Sequence, residues 1–190
     1  MSSSEFEEIP ELFYSFETKE PFQHCLVCNC FLLEDQTYVI EKAIKKYADY
    51  SATDVIFDYA ICMQCAINFR KEFSEESLNK IDAYFNHYLK DHLTLGHIDD
   101  RLNIDACLNK CLIKGTNQKE LVEYQIYAHC KGRHLIKSLP PYLVSNEAIE
   151  EIIPLISYET QQLLDGFYNK YFSPDPSILH PIPKDRIVFF

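Results

Sequence analysis

Along residues 54–62, DVIFDYAIC, apolar side chains take alternate positions at Val55, Phe57, Tyr59 and Ile61, a period of two that predicts a half-buried strand. The segment TYVIEKAIKKY (37–47) reads as its hairpin partner across the polar DYSATD, although Ile40, Ala43, Ile44 and Tyr47 also fit a helical stripe. After Cys65 the period lengthens. Ile67, Phe69, Arg70 and Phe73 begin a helical pattern, and Leu78, Ile81, Phe85, Tyr88 and His92 then recur every three or four residues. Ser74 stands where a hydroxyl can cap the second helix, and Glu75 and Glu76 complement the positive end of its dipole. His92 on this stripe reads as a packed histidine, not a ligand.

Gly96 interrupts the helical pattern, and residues 99–111 form a short element ending in two cysteines. LVEYQIYAHC, then KG, then RHLIKSL reads as a second hairpin turned by Gly132. Two helices follow PPYLVS. Ser145 precedes the first, which Pro154 limits; Ser157 precedes the second, whose apolar face is Leu163, Leu164, Phe167, Tyr168 and Tyr171. The proline-rich end, SPDPSILHPIPKDRIVFF, is too apolar to float free of the fold. The expected class is α+β: a hairpin and helix, then a second hairpin and C-terminal helices. We expect an acidic docking arm over residues 1–22, held by Phe6, Leu12, Phe13, Tyr14 and Phe16. A first module spans 23–95 and a second 96–190, packed as one unit.

A chain of 190 residues can bury a real core, so a metal would assist folding without being its only source. The opening MSSSEFEEIPELF has neither a basic n-region nor a long apolar stretch, and no window nears about 18 uninterrupted apolar residues. The expectation is a cytoplasmic protein with no membrane span. Thiols stay reduced in that compartment, so eight cysteines point to metal binding or redox chemistry before disulfides. Net charge is -11, with six glutamates against Lys19 alone in residues 1–20, and a second acidic stretch at 147–175. Such a surface lacks the lysines and arginines that supply most nucleic-acid affinity, so no DNA or RNA ligand is expected.

The cysteines come in pairs. Cys25 and Cys28 lie in CLVCNC, and Cys62 and Cys65 in CMQC, where the second pair ends a strand and opens a helix. Two-residue separation lets a tight turn aim both sulfurs at one ion, and a helix N-terminus favours the Cys65 thiolate. A ligand-bearing turn, a hairpin, and two ligands at a helix start resemble the treble-clef class of zinc fingers over residues 25–73. That resemblance implies a zinc ion on Cys25, Cys28, Cys62 and Cys65. Cys30 either replaces Cys28 through the Cys-x-Cys spacing or sits as a small apolar residue leaving the turn, and the reading favours the latter. A second candidate site joins Cys107 and Cys111, one helical turn apart, to Cys130 and His134 at the second hairpin tip, with His129 as a substitute. The alternative is that Cys107 and Cys111 pack in the core and His134 faces water. One zinc is expected from the first cluster, and a second only if the other site forms.

Catalytic signatures are missing. There is no P-loop, GxGxxG or GxSxG, and four glycines leave little for phosphate-cradling loops. A His-Asn-His nuclease would put its Asp-His pair on the hairpin, whereas Asp91-His92 follows the fourth cysteine. A zinc hydrolase needs an open coordination position, which a closed four-ligand site lacks. The expected function is therefore a zinc-stabilised interaction or adaptor protein that meets an unidentified protein partner through an acidic surface. A metal- or redox-responsive regulator is the alternative, and a zinc-dependent enzyme the third reading.

Overall fold

A computed structural model describes residues 6–47, 52–95, 97–98 and 101–172. The tip of the first hairpin, Gly96 and the proline-rich end lie outside those residues. In chain order the elements are β1 (Phe6–Glu8), β2 (Thr37–Tyr47), β3 (Ala52–Cys62), α1 (Met63–Arg70), α2 (Glu75–Leu95), β4 (His97–Ile98), β5 (Arg101–Leu102), α3 (Ile104–Leu108), β6 (Glu123–Lys131), β7 (His134–Ile136), β8 (Tyr142–Ser145), α4 (Asn146–Ile152) and α5 (Tyr158–Phe172). Six strands make one antiparallel sheet in the order β1-β7-β6-β2-β3, and β8 shares the β6 edge with β7. The class is α+β, as the periodicities predict.

The segment with two competing periods, 37–47, is the strand β2, and its place in the sheet explains the ambiguity. It lies between β3 and β6, and residues 38–44 are all buried. A central strand covered on both faces loses the alternation that marks a half-buried one. Register places Glu41 between Tyr59 and Tyr127, and Lys42 beside Asp58 and Ile126 on the opposite face. Over the first face lie α1 and α5: Phe57 and Tyr59 meet Phe172 at 5.1 and 5.2 Å, and Phe69 meets Phe167 at 4.8 Å. On the other face Lys42 Nζ faces Asp58 at 3.5 Å and donates to the carbonyls of Leu12 and Tyr14. The N-terminal segment is thereby tied to the sheet: Phe13 is fully buried, while Leu12 and Phe16 remain exposed.

The second hairpin forms as β6 and β7, turned by Gly132 at φ +55°. Yet the long partner of β6 is β2, with nine paired residues, so segments 23–95 and 96–190 contribute adjacent strands to one sheet. All three serine caps form: the hydroxyls of Ser74, Ser145 and Ser157 accept from Ser77, Ala148 and Thr160 N–H. The caps of α2 and α5 also meet each other, with Ser74 and Ser157 Oγ 3.0 Å apart above buried Ser77 and Thr160. Two positive helix ends converge there, and Glu75, Glu76 and Glu159 in the first turns offset them. No helix among the described residues is long and apolar enough to cross a membrane.

Candidate metal centre

CLVCNC forms a tight turn because its backbone closes on itself. Cys25 N–H donates to Cys30 O and Asn29 N–H to Cys25 O, both at 2.9 Å. Asn29 takes φ +59°, a left-handed conformation that asparagine tolerates better than most residues. Leu26 N–H then bonds Ala60 O at 2.9 Å, which fixes the turn against the end of β3. There Cys62 ends the strand and is the N-cap of α1, so Cys65 lies in the first helical turn. The chain thus brings the two cysteine bursts together across the β2–β3 hairpin.

The Sγ atoms of Cys25, Cys28, Cys30 and Cys62 all lie within 4.8 Å of one another, a group able to hold a metal ion. Cys28 and Cys62 sulfurs are 3.8 Å apart. Four ligands about 2.3 Å from a tetrahedral ion stand about 3.8 Å from each other, so this edge already has the length such a shell requires. Cys65 is half-buried beside the group and interacts with the sulfurs of Cys28 and Cys62. Cys30, read from the pattern as an apolar residue leaving the turn, instead points its sulfur into the cluster. The Cys-x-Cys spacing was the signal for it. Alternation misled because the chain is still within the turn at Cys30, whose carbonyl accepts from Cys25.

The electrostatics are those of crowded thiols. The Cys30 N–H, aided by neighbouring sulfurs, draws the exposed Cys28 thiol down to about 6. Burial pushes Cys30 up to about 12 and raises Cys62 and Cys65 as well. A thiolate at one position disfavours thiolates at its neighbours, and a divalent cation reverses that preference by stabilising several at once. Cys62 N–H donates to Cys25 Sγ at 3.3 Å, a backbone donor placed to support a thiolate.

Beside this cluster runs a groove of about 420 Å³ between the turn, α1 and α5, with Val27, Cys65, Phe69, Leu163, Phe167 and Tyr171 in its wall.

The other expected ligands stand apart. Among the described residues no group of three or more metal-binding side chains includes Cys107, Cys111, Cys130 or His134. Helix α3 ends at Leu108, so Cys107 and Cys111 do not share a helical face. Leu112 N–H bonds Leu143 O and draws that stretch toward β8, where Cys111 Sγ accepts from Ser145 N–H at 3.3 Å. Cys130 is buried in β6, opposite Tyr38, and His134 is exposed on β7. His92 is half-buried, with Nε2 2.9 Å from Pro141 O.

His129, the substitute ligand, sits in β6 opposite Val39 with a buried Nδ1 that has no hydrogen-bond partner among the described residues. Burial lowers its pKa from 6.5 to about 4. The folded protein therefore keeps a neutral imidazole while the unfolded chain takes up a proton below about 6.5. This contribution is fully present above that pH and is lost as pH falls toward 4. We expect wild type to lose on the order of 2 kcal/mol more than His129→Phe between those pH values, read from denaturant titrations. Parallel profiles for the two proteins would assign the pH dependence to other groups.

No protein-family model, characterised protein or solved structure matches this chain.

Proposed function

We propose that the protein is a zinc-stabilised interaction module of treble-clef type, working in a reducing compartment. The observation that carries this is the convergence of the two cysteine bursts, with the Cys28 and Cys62 sulfurs at a tetrahedral edge length. An all-thiolate set suits zinc over harder cations, and a shell closed by four protein sulfurs suits structure over hydrolysis. Ligand candidates on a turn, at the end of a hairpin and at a helix start support the treble-clef reading. The partner is a protein, and support for a face that meets one comes from exposed Val27, Phe31 and Ile67 on the turn and α1. The net charge of -11 disfavours nucleic acid. Elemental analysis of protein purified without chelator tests the zinc claim: about one zinc per chain is expected, and protein that is folded yet free of metal rejects it.

One observation favours a second reading, a metal- or redox-responsive regulator: five thiols converge where a tetrahedral ion takes four. A purely structural ion resists weak chelators and mild peroxide, whereas a responsive one is released by them.

A further inference from the structure

The groove between the cysteine turn, α1 and α5 has an aromatic wall, and one segment of this chain has the composition that such walls take. Phe69 of α1 and Tyr171 of α5 each lie 4.8 Å, ring centre to ring centre, from Phe167. Gly166 forms part of the floor, and among the described residues a Cβ there would meet nothing within 4 Å. Glycine inside a helix costs stability relative to alanine, and it is the residue found where another backbone comes close. The groove thus offers rings and a bare stretch of helix together.

Residues 173–190 follow α5, which ends at Phe172, one residue past Tyr171 in the groove wall. They carry Pro174, Pro176, Pro181 and Pro183, with Ile178, Leu179 and Ile182 among them. Prolines at this density favour the extended polyproline II form, which docks in aromatic-lined grooves at little entropic cost. The side-chain charges of the segment cancel, Asp175 and Asp185 against Lys184 and Arg186, so the acidic remainder of the chain does not repel it.

We propose that residues 178–183, ILHPIP, fold back along α5 and dock in this groove as an intramolecular proline-rich ligand of its aromatic wall. The reach is sufficient. From Gln162 to Tyr171 the groove follows α5 for about 14 Å, whereas ten residues in polyproline II form span about 31 Å. A tether this short holds the segment at roughly millimolar local concentration, so a groove of only millimolar affinity is already about half filled. Docking covers Val27 and leaves Phe31 and Ile67 exposed to a partner.

Site-specific photo-crosslinking in the whole chain tests this. Benzoylphenylalanine is installed at exposed Gln162 in the groove or, as a control, at exposed Val122 outside it. Illumination should join position 162 to residues 178–183 of the same chain, giving a product of monomer mass at about fivefold the control yield or more. Two variants should each lower that yield about fivefold: Pro181→Gly with Ile182→Ser, which weakens the ligand, and Gly166→Leu, which fills the floor of the groove. The first changes no described residue, so it decides the matter even if Gly166→Leu fails to fold. An unchanged yield in that tail variant, equal yields from positions 162 and 122, products that join two chains, or no crosslink to residues 178–183 would each overturn the proposal.

Discussion

Cys62→Ala should abolish stoichiometric zinc binding and cost about 3–5 kcal/mol of stability, the range for disabling a buried, partnered site. Cys62 holds three positions at once. It is the last residue of β3, the N-cap of α1 and the sulfur that both Cys30 and Cys65 approach. Removing it takes out the member of the cluster that joins the turn to the end of β3 and the start of α1. The turn at Cys25–Cys30 then remains joined to β3 chiefly by the Leu26 to Ala60 hydrogen bond. Cys107→Ala is the matched control. It also removes a buried thiol, but one outside the cluster, so zinc content should be unchanged and the loss near 1 kcal/mol. Denaturant titration with metal analysis reads both, and a Cys62→Ala protein that keeps its zinc and most of its stability would contradict the account.

Gly132→Ala should be the most costly single change outside the cluster, at roughly 3 kcal/mol or more, as steric strain adds to a left-handed backbone. Gly132 has φ +55°, and a Cβ there would sit 2.3 Å from the Glu34 carbonyl oxygen and 3.3 Å from its carbon. Those are backbone atoms and cannot rotate away. The same glycine donates N–H to Gln36 O at 3.0 Å and accepts from Tyr38 OH at 2.8 Å, so the β6–β7 tip clamps the segment between the cysteine turn and β2. Displacing it shifts the start of β2, and with it the support of the turn. Gly115→Ala shares the left-handed conformation at φ +67° but meets nothing within 4 Å, so it should cost only about 1 kcal/mol. Equal losses in the two variants would show that the close approach at Glu34 is relieved easily.

Local rules made much of this fold legible. Val55 to Ile61 alternate because β3 is an edge strand with unequal faces, and Ser74, Ser145 and Ser157 cap helices because short hydroxyls satisfy free N–H groups. Gly132 marked its turn for the same local reason. What the pattern hid was set by distant packing. β2 looked half helical because burial on both faces removes the period of two, and Glu41 and Lys42 gave no hint of burial, since their partners Tyr59 and Asp58 lie on the next strand. At the site, the spacing of Cys25, Cys28, Cys62 and Cys65 announced a metal cluster, but the inward turn of Cys30 depends on backbone closure that spacing does not encode. Cys107 and Cys111 mislead in the opposite way: four-residue spacing means a shared face only if the helix continues, and α3 stops at Leu108.

The central claim is that one zinc ion sits within this cysteine cluster, held by sulfur alone, and X-ray absorption at the zinc edge of the loaded protein tests it most directly. The account predicts a single shell of four sulfurs at about 2.3 Å with no nitrogen or oxygen neighbour. A shell containing nitrogen or oxygen ligands at about 2.0–2.2 Å, as a histidine, carboxylate or water would give, would contradict it.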